Sequence, residues 1–467
     1  MEENTHRRPT NPRRRQRSKI QIFKEAYLPV IIAGIALILI LIFIIGSITR
    51  AVQNHKIQVQ AQIEASESLA AEQLRLQEEA QYLLEEARKS VRHFDYGNAI
   101  ALLDSFSGDI SQFPELSIAR DEYQQAMDAL IHWEDPNQIP NLSFHQLIVT
   151  PERAFADPIY SKSYLRNHIT LEEFSQILQQ LYENGYILVQ QSDVMAGTVY
   201  LPEGKKPIII TQTNVNYYTY MIDSDGDKLP DKDGAGFASK LIVDANGNLT
   251  CEMVDSSGQI VTGAYDLVPI LNAFVETHPD FSYKGAKATL AVSGFEGLFG
   301  YRTDEESRQH FGEDYWNSEI SAVSRLINVL YSDGYEIACY TFRNAAYGEM
   351  TAQQIQEDMS LWSSQVAPIL GNVNTLVFAK NSDIAANSEA YAGEKFDVLN
   401  QYGFTAYIGF CADNQPFYST YDGYIRQGRL MVTGANLTQK PELFTGIFDA
   451  STLVDAARTA AQTQPEA

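Results

Sequence analysis

Cysteine is nearly missing from this chain: Cys251, Cys339 and Cys411 are the only three in 467 residues. Their odd number and wide spacing argue against a disulfide framework, and no CxxC or Cys/His cluster supports a structural zinc site. Isolated thiols of this kind are usually small core side chains. Histidine is sparse as well, with eight in all and none after His310. Basic charge is also scarce outside the N-terminus. Residues 1–24 hold eight Arg or Lys against Glu2 and Glu3, whereas the rest carries 27 basic and 57 acidic residues. A body this acidic argues against nucleic acid as the main partner.

Two further absences mark the N-terminal third. Leu28–Ile48 holds no charge over 21 residues, enough to cross a bilayer core. The basic cluster lies before it, and only Arg50 and Lys56 follow closely. The positive-inside bias therefore puts residues 1–27 in the cytoplasm and the C-terminal bulk outside a cell membrane. A cleaved signal peptide fits less well than a signal anchor, because the apolar run is long and no small-x-small site follows closely. From Ala51 to about Phe94 there is neither proline nor glycine. Ile57, Ile63, Leu69, Leu76, Leu83 and Leu84 recur at helical or near-heptad spacing, so 49–95 reads as a helical stalk. A coiled coil joining copies of the chain and a single solvated helix both fit its irregular seam.

Asp95-Tyr96-Gly97-Asn98 breaks that helix. Residues 96–135 then read as a helical spacer, with helices over Asn98–Phe106 and Pro114–Trp133 that resemble one tetratricopeptide-type pair. After Pro136 and Pro140, short apolar runs alternate with amphipathic helices through 136–455. Strands are expected over Phe144–Val149, Tyr186–Val189, Ala288–Val292, Glu336–Tyr340, Thr375–Phe378 and Thr405–Gly409, and Ile208–Ile210 has the composition of another. Helices are expected over Thr170–Asn184, Leu267–His278, Ser318–Asp333, Thr351–Ile369 and Ala392–Tyr402. Thr170 and Glu173 form a capping box. Such alternation means an α/β barrel or a layered parallel sheet. Residues 456–467 read as a disordered tail.

Several phrases in this region resemble the polysaccharide deacetylases (chitooligosaccharide-deacetylase homology, carbohydrate esterase family four), above all a membrane-anchored bacterial subgroup. They include FHQLIV (144–149), EFSQILQQLYENGYILV (173–189), LPEGKKPIIIT with NVNYY (201–218), the stretch 265–303, DGYEIACYTF (333–342), LWSSQVAPILG (361–371) and YIRQGRL with ELFTGIFDAS (424–451). The resemblance implies an irregular (β/α)7 barrel acting on cell-wall or exported glycans. It also implies an Asp-His-His site for zinc or a similar cation, in which metal-bound water attacks an acetamide. This chain departs from that pattern. Thr213 and Asn214 stand at the family's Asp pair, Tyr340 and Asn344 at its two ligand histidines, and Lys380 lies in FAKNSDI in place of the Arg/Pro loop. Neutral hydroxyls and amides are poor zinc donors, so the zinc site is expected to be lost and the barrel to be a pseudoenzyme.

That leaves three readings of function. A dead barrel could hold envelope glycan or a partner protein, a hydrolase could use a non-standard site, or a scaffold could act through its stalk. For glycan contacts the candidates are Tyr217, Tyr218, Tyr340, Phe342 and Arg302, with Tyr220 and Tyr347 as further aromatics. The remaining histidines read as packing groups (His145, His278) or as surface residues (His168, His310). One acidic loop has metal-like spacing: Asp223, Asp225, Asp227 and Asp231 at positions 1, 3, 5 and 9, with the Leu229 carbonyl at 7. Lys228 and Gly234 stand where an EF-hand has its glycine and bidentate glutamate, so structural calcium and a solvated acidic turn both stay open.

Overall fold

The computed structural model describes residues 19–386, 388–411 and 416–462. The chain divides into two units, Met1–Gln81 and Tyr82–Ala467. In the first, helical residues Lys19–Ile22 and a π-helical segment, Phe23–Tyr27, lead into the helix Leu28–Arg92, whose last turns belong to the second unit. The π turn sits just ahead of Pro29, which cannot donate to the carbonyl four residues back. The apolar part of this helix is long and apolar enough to cross a membrane.

In the second unit, Asp95 caps the helix Tyr96–Asp104, its carboxylate accepting from the Asn98 N–H at 3.2 Å. The next helix, Pro114–Asp128, packs against it through buried Leu116 and Ala119. A two-stranded ribbon of Ile131–His132 with Tyr200–Leu201 joins this spacer to the region that follows.

That region is a closed barrel of seven parallel strands: β1 Asn141–Phe144, β2 Lys206–Thr213, β3 Thr289–Val292, β4 Glu336–Cys339, β5 Thr375–Val377, β6 Ala406–Phe410 and β7 Tyr424–Met431. Each strand pairs with the next in the chain, and β7 returns to β1 through Leu430↔Leu142. Two strands lie outside the ring. Tyr186–Leu188 runs parallel to the first half of β2, and Tyr418–Tyr421 forms a hairpin with β7.

Strand parity divides the core. Inward positions hold alanine, β-branched or polar side chains: Ala291, Ala338, Val377, Ala406, Ile408 and Ile425, with a hydrogen-bonded row of Thr211, Asn141 and Gln427. Outward positions such as Leu142, Phe144, Ile210, Leu290, Ile337, Leu376 and Tyr407 pack under the helices. Among those helices is Leu171–Glu183, with the capping box of Thr170 and Glu173 in place.

The structure departs from the sequence reading at several elements. The strand expected over Phe144–Val149 is Asn141–Phe144. Leu147 and Ile148 are buried, but the N–H groups of Leu147, Ile148 and Val149 bond to the Asp266 carboxylate, Ile169 and Gly236 instead of a barrel neighbour. The single helix expected over Thr351–Ile369 is interrupted by a π turn, Trp362–Val366, ahead of Pro368 for the same reason as at Pro29. An antiparallel sheet of Lys240–Val243, Leu249–Val254 and Ile260–Gly263 was not anticipated. Of the tail read as disordered, Ala456–Gln462 form a helix whose Arg458 is fully buried against Glu173, and residues 463–467 lie outside the described residues.

Candidate ligand site at the barrel mouth

The C-terminal ends of the strands converge on a polar mouth. β2 finishes at Thr213, whose hydroxyl donates to the Phe144 carbonyl at 3.2 Å and lies 2.9 Å from His145 Nδ1. Asn214 then turns the chain in the left-handed region, at φ 60°, which asparagine tolerates better than most residues. Its side-chain oxygen accepts from the Tyr218 hydroxyl at 3.1 Å, and that hydroxyl is 2.8 Å from Ser293 Oγ just past β3. Asn216 locks the same junction, accepting from Ser293 N–H at 3.0 Å and donating to its carbonyl at 2.7 Å.

Two further groups complete the mouth. Tyr340 follows β4 and is buried, its N–H donating to the Val292 carbonyl at 2.8 Å. Arg429, inward on β7, interacts with the Tyr340 phenol. Its guanidinium is fully buried and held mainly by carbonyl oxygens, those of Ile408, Gly409 and Phe378 at 2.9–3.2 Å, with Asn381 Oδ1 at 3.3 Å. The mouth is therefore built from hydroxyls, amides, one imidazole and one guanidinium. Burial, with His168 and Arg429 nearby, pushes the His145 pKa down to about 3, so its ring is neutral at physiological pH.

Of the five positions read as relics of a hydrolytic site, three meet here: Thr213, Asn214 and Tyr340. The other two do not join them. Asn344 sits on the loop after β4 at φ 52°, its buried side-chain oxygen without a partner, and Lys380 is exposed. Neither makes a hydrogen bond to the Thr213 group among the described residues. Three of the expected glycan contacts are corrected. Tyr217 is fully buried in the outer core and donates to Asp266 at 2.7 Å. Phe342 packs its ring where Gly294 leaves room, beside Val366. Arg302 is buried and spends its guanidinium on the carbonyls of Glu296 and Tyr217. His168, read as a surface residue, is also buried and bonds to the Gln146 carbonyl at 2.8 Å.

Tyr218 does belong to the mouth, where it lines a pocket of about 130 Å³ with His145, Asn214 and Tyr220. Around that pocket lies an aromatic rim. Tyr220 stacks 6.0 Å from Tyr218 and meets Tyr160 at a tilt with the rings 5.0 Å apart, and Phe295 is 5.9 Å from Tyr218. Tyr160, Tyr220 and Phe295 are 37–44% exposed. Sequence reasoning missed His145, Ser293, Arg429, Tyr160 and Phe295 as mouth residues. Arg429 had a usable signal in its parity with Ile425 and Gln427, whereas the strand expected over Phe144–Val149 hid His145 inside it.

The family resembled implies a metal, and the donors present do not fit it. Among the described residues, the one group of three His, Cys, Asp or Glu side chains close enough to share an ion is Asp223, Asp225 and Asp227, on the loop after the short helix Thr219–Ile222 and without any of Thr213, Asn214 or Tyr340. In that loop Asp223 already accepts from the N–H groups of Asp225, Gly226 and Lys228. Asp231 is not part of the group and accepts from Ser224 instead, while Leu229 donates its N–H to Asp227.

Comparison with known proteins gives no match to a family model and none to a curated sequence. Two solved structures are similar over 66% of this chain. The Streptococcus pyogenes deacetylase PplD in complex with acetate is covered over 97% of its length at 13% identity, with a TM-score of 0.37. A de-N-acetylase from Aggregatibacter actinomycetemcomitans is covered over 99% at 11% identity, with a TM-score of 0.35.

Proposed function

We propose that this chain is a membrane-tethered barrel of polysaccharide-deacetylase type that has lost hydrolysis and holds an envelope glycan at its mouth. The observation that carries the reading is the rim of exposed rings at Tyr160, Tyr220 and Phe295 beside a pocket of hydroxyls and amides. Sugar rings present apolar C–H faces and a fringe of hydroxyls, which such a surface matches on both counts. Against hydrolysis stand the donor chemistry at Thr213, Asn214 and Tyr340 and the state of His145, which is held neutral far below the range of a useful general base.

The test uses the purified full chain in detergent. Soluble chito-oligomers are expected to bind, and Tyr220→Ala is expected to weaken binding about tenfold, the weight of roughly 1.4 kcal/mol of aromatic contact. Zinc content is expected to be negligible. Stoichiometric zinc together with acetate release from acetylated oligomers would overturn the loss of hydrolysis, and oligomer binding indifferent to Tyr220→Ala would overturn the rim.

A further inference from the structure

His145 lines a second space as well, a cleft of about 1260 Å³ that also shares Asn167 with the mouth pocket. Its walls are the helix Ser161–Asn167, the helix Gly434–Gln439 and the end of the C-terminal helix at Ala461 and Gln462. The two walls meet closely at Gly434, where a Cβ would overlap the Leu165 carbonyl oxygen. Arg458 fastens the junction from beneath, donating to the carbonyls of Leu165 at 2.6 Å and His168 at 2.8 Å.

The charge of this cleft runs against the rest of the molecule. Lys162, Arg166 and Lys440 line it, and among the described residues no aspartate or glutamate does. Arg166 and Lys440 are exposed and have no ion-pair partner among the described residues. Arg429 adds a buried cation one layer below, reaching the cleft through its bond to Asn381 Oδ1. That guanidinium hydrogen-bonds to carbonyl and amide oxygens, while the carboxylate nearest in effect, Asp383, is paired with Arg426, so part of its field is felt at the mouth. Beyond residue 24 the chain carries 57 acidic against 27 basic residues. A site of opposite sign on such a body concentrates anions locally, while the remaining surface repels them.

We propose that this cleft binds an acidic glycan, setting the carboxylate or phosphate groups of the sugar chain against Arg166 and Lys440 while its rings engage the aromatic rim. This rests on the glycan reading above and names the class of glycan. An exposed guanidinium presents paired donors that suit carboxylate and phosphate oxygens alike, so the shared anionic chemistry is what the cleft selects.

The experiment measures binding to the full chain at about 20 mM and 500 mM salt. The probes are oligogalacturonate, a phosphodiester-linked hexose oligomer, neutral chito-oligomer and poly-glutamate peptide. At least one anionic saccharide or phosphodiester probe is expected to bind ten times tighter than the neutral oligomer at low salt and to lose that advantage at high salt. Which of the two does so identifies carboxylate or phosphate as the source. Arg166→Ala with Lys440→Ala is expected to abolish the preference and leave neutral binding unchanged. Both side chains are exposed, so the double variant should melt as the wild type does. Equal, salt-insensitive affinity for acidic and neutral oligomers would overturn the inference and leave the glycan reading standing. Failure of every saccharide would remove both, and poly-glutamate held as tightly as oligogalacturonate would overturn the assignment to glycan.

Discussion

Burial of His145 and His168 puts a pH dependence into the fold. Their rings lie 5.5 Å apart, and burial is the largest cause of both shifts, to about 3 and about 4 from an ordinary 6.5. Arg429 and Arg458 push in the same direction. Unfolded, each ring takes a proton near 6.5, while the folded chain resists until far lower pH. Their contribution is thus complete above 6.5 and lost as the pH falls toward 3–4. Asp266 opposes this. Burial raises it to about 6 from 3.8, so its contribution is present below 3.8 and lost as the pH rises through 6. The two histidine shifts together exceed the single aspartate shift, so acidification should destabilise the protein below pH 6.5. Urea midpoints measured from pH 7 to 4 are expected to fall, and His168→Gln should reduce the protons taken up on unfolding by about one. A flat profile would contradict the burial of this pair. The sequence placed His145 correctly as a packing or hydrogen-bonding group. It misplaced His168, because a charged neighbourhood in sequence says nothing of Phe237, Tyr164 and Arg458, which meet it only in the fold.

The elements that sequence periodicity captured are those whose partners are local. The helix Leu171–Glu183 is an example, since its cap and apolar face lie within one stretch of chain. Strand β7 escaped notice because Arg426 and Arg429 interrupt its apolar pattern. Both are buried, paired with Asp383 and with backbone carbonyls that other strands supply. The C-terminal helix escaped for the same reason: Arg458 finds Glu173 across 285 positions, at 2.7 Å. That glutamate also caps its own helix through Thr170 and accepts from Asp455 N–H at 3.1 Å, so one carboxylate ties both elements together. Removing one partner of a fully buried pair leaves an uncompensated charge, and Arg458→Met should therefore cost about 3–5 kcal/mol in urea unfolding. Combining it with Glu173→Gln should cost less than the sum of the two single changes. A loss below about 1 kcal/mol for Arg458→Met would mean that the helix is not docked. At the mouth, Thr213, Asn214 and Tyr340 were placed by the family resemblance, and Asn344 and Lys380, placed in the same way, do not join them. The cleft was not legible, since its cations come from segments about 270 residues apart.

Over the whole molecule, the strongest feature is the separation of charge about one apolar helix. Eight basic residues precede Leu28–Ile48, and the acidic excess follows it. The positive-inside bias predicts from this that residues 1–27 lie in the cytoplasm and the barrel outside, within reach of an exported glycan. The native cysteines make the arrangement simple to test. Cys251, Cys339 and Cys411 are all buried, and burial pushes every one of these thiols up, Cys411 to about 11. Thiols kept protonated and out of water react slowly with maleimides, so the wild-type chain supplies a quiet background. A thiol introduced by Ser256→Cys lies on an exposed turn of the antiparallel sheet, and one introduced by Ser18→Cys lies before the apolar helix. In intact cells a membrane-impermeant maleimide is expected to label the Ser256→Cys chain at once and the Ser18→Cys chain only after permeabilisation. The reverse pattern would put the barrel in the cytoplasm, beyond reach of any envelope glycan. Equal labelling of both before permeabilisation would mean that Leu28–Ile48 does not span the membrane.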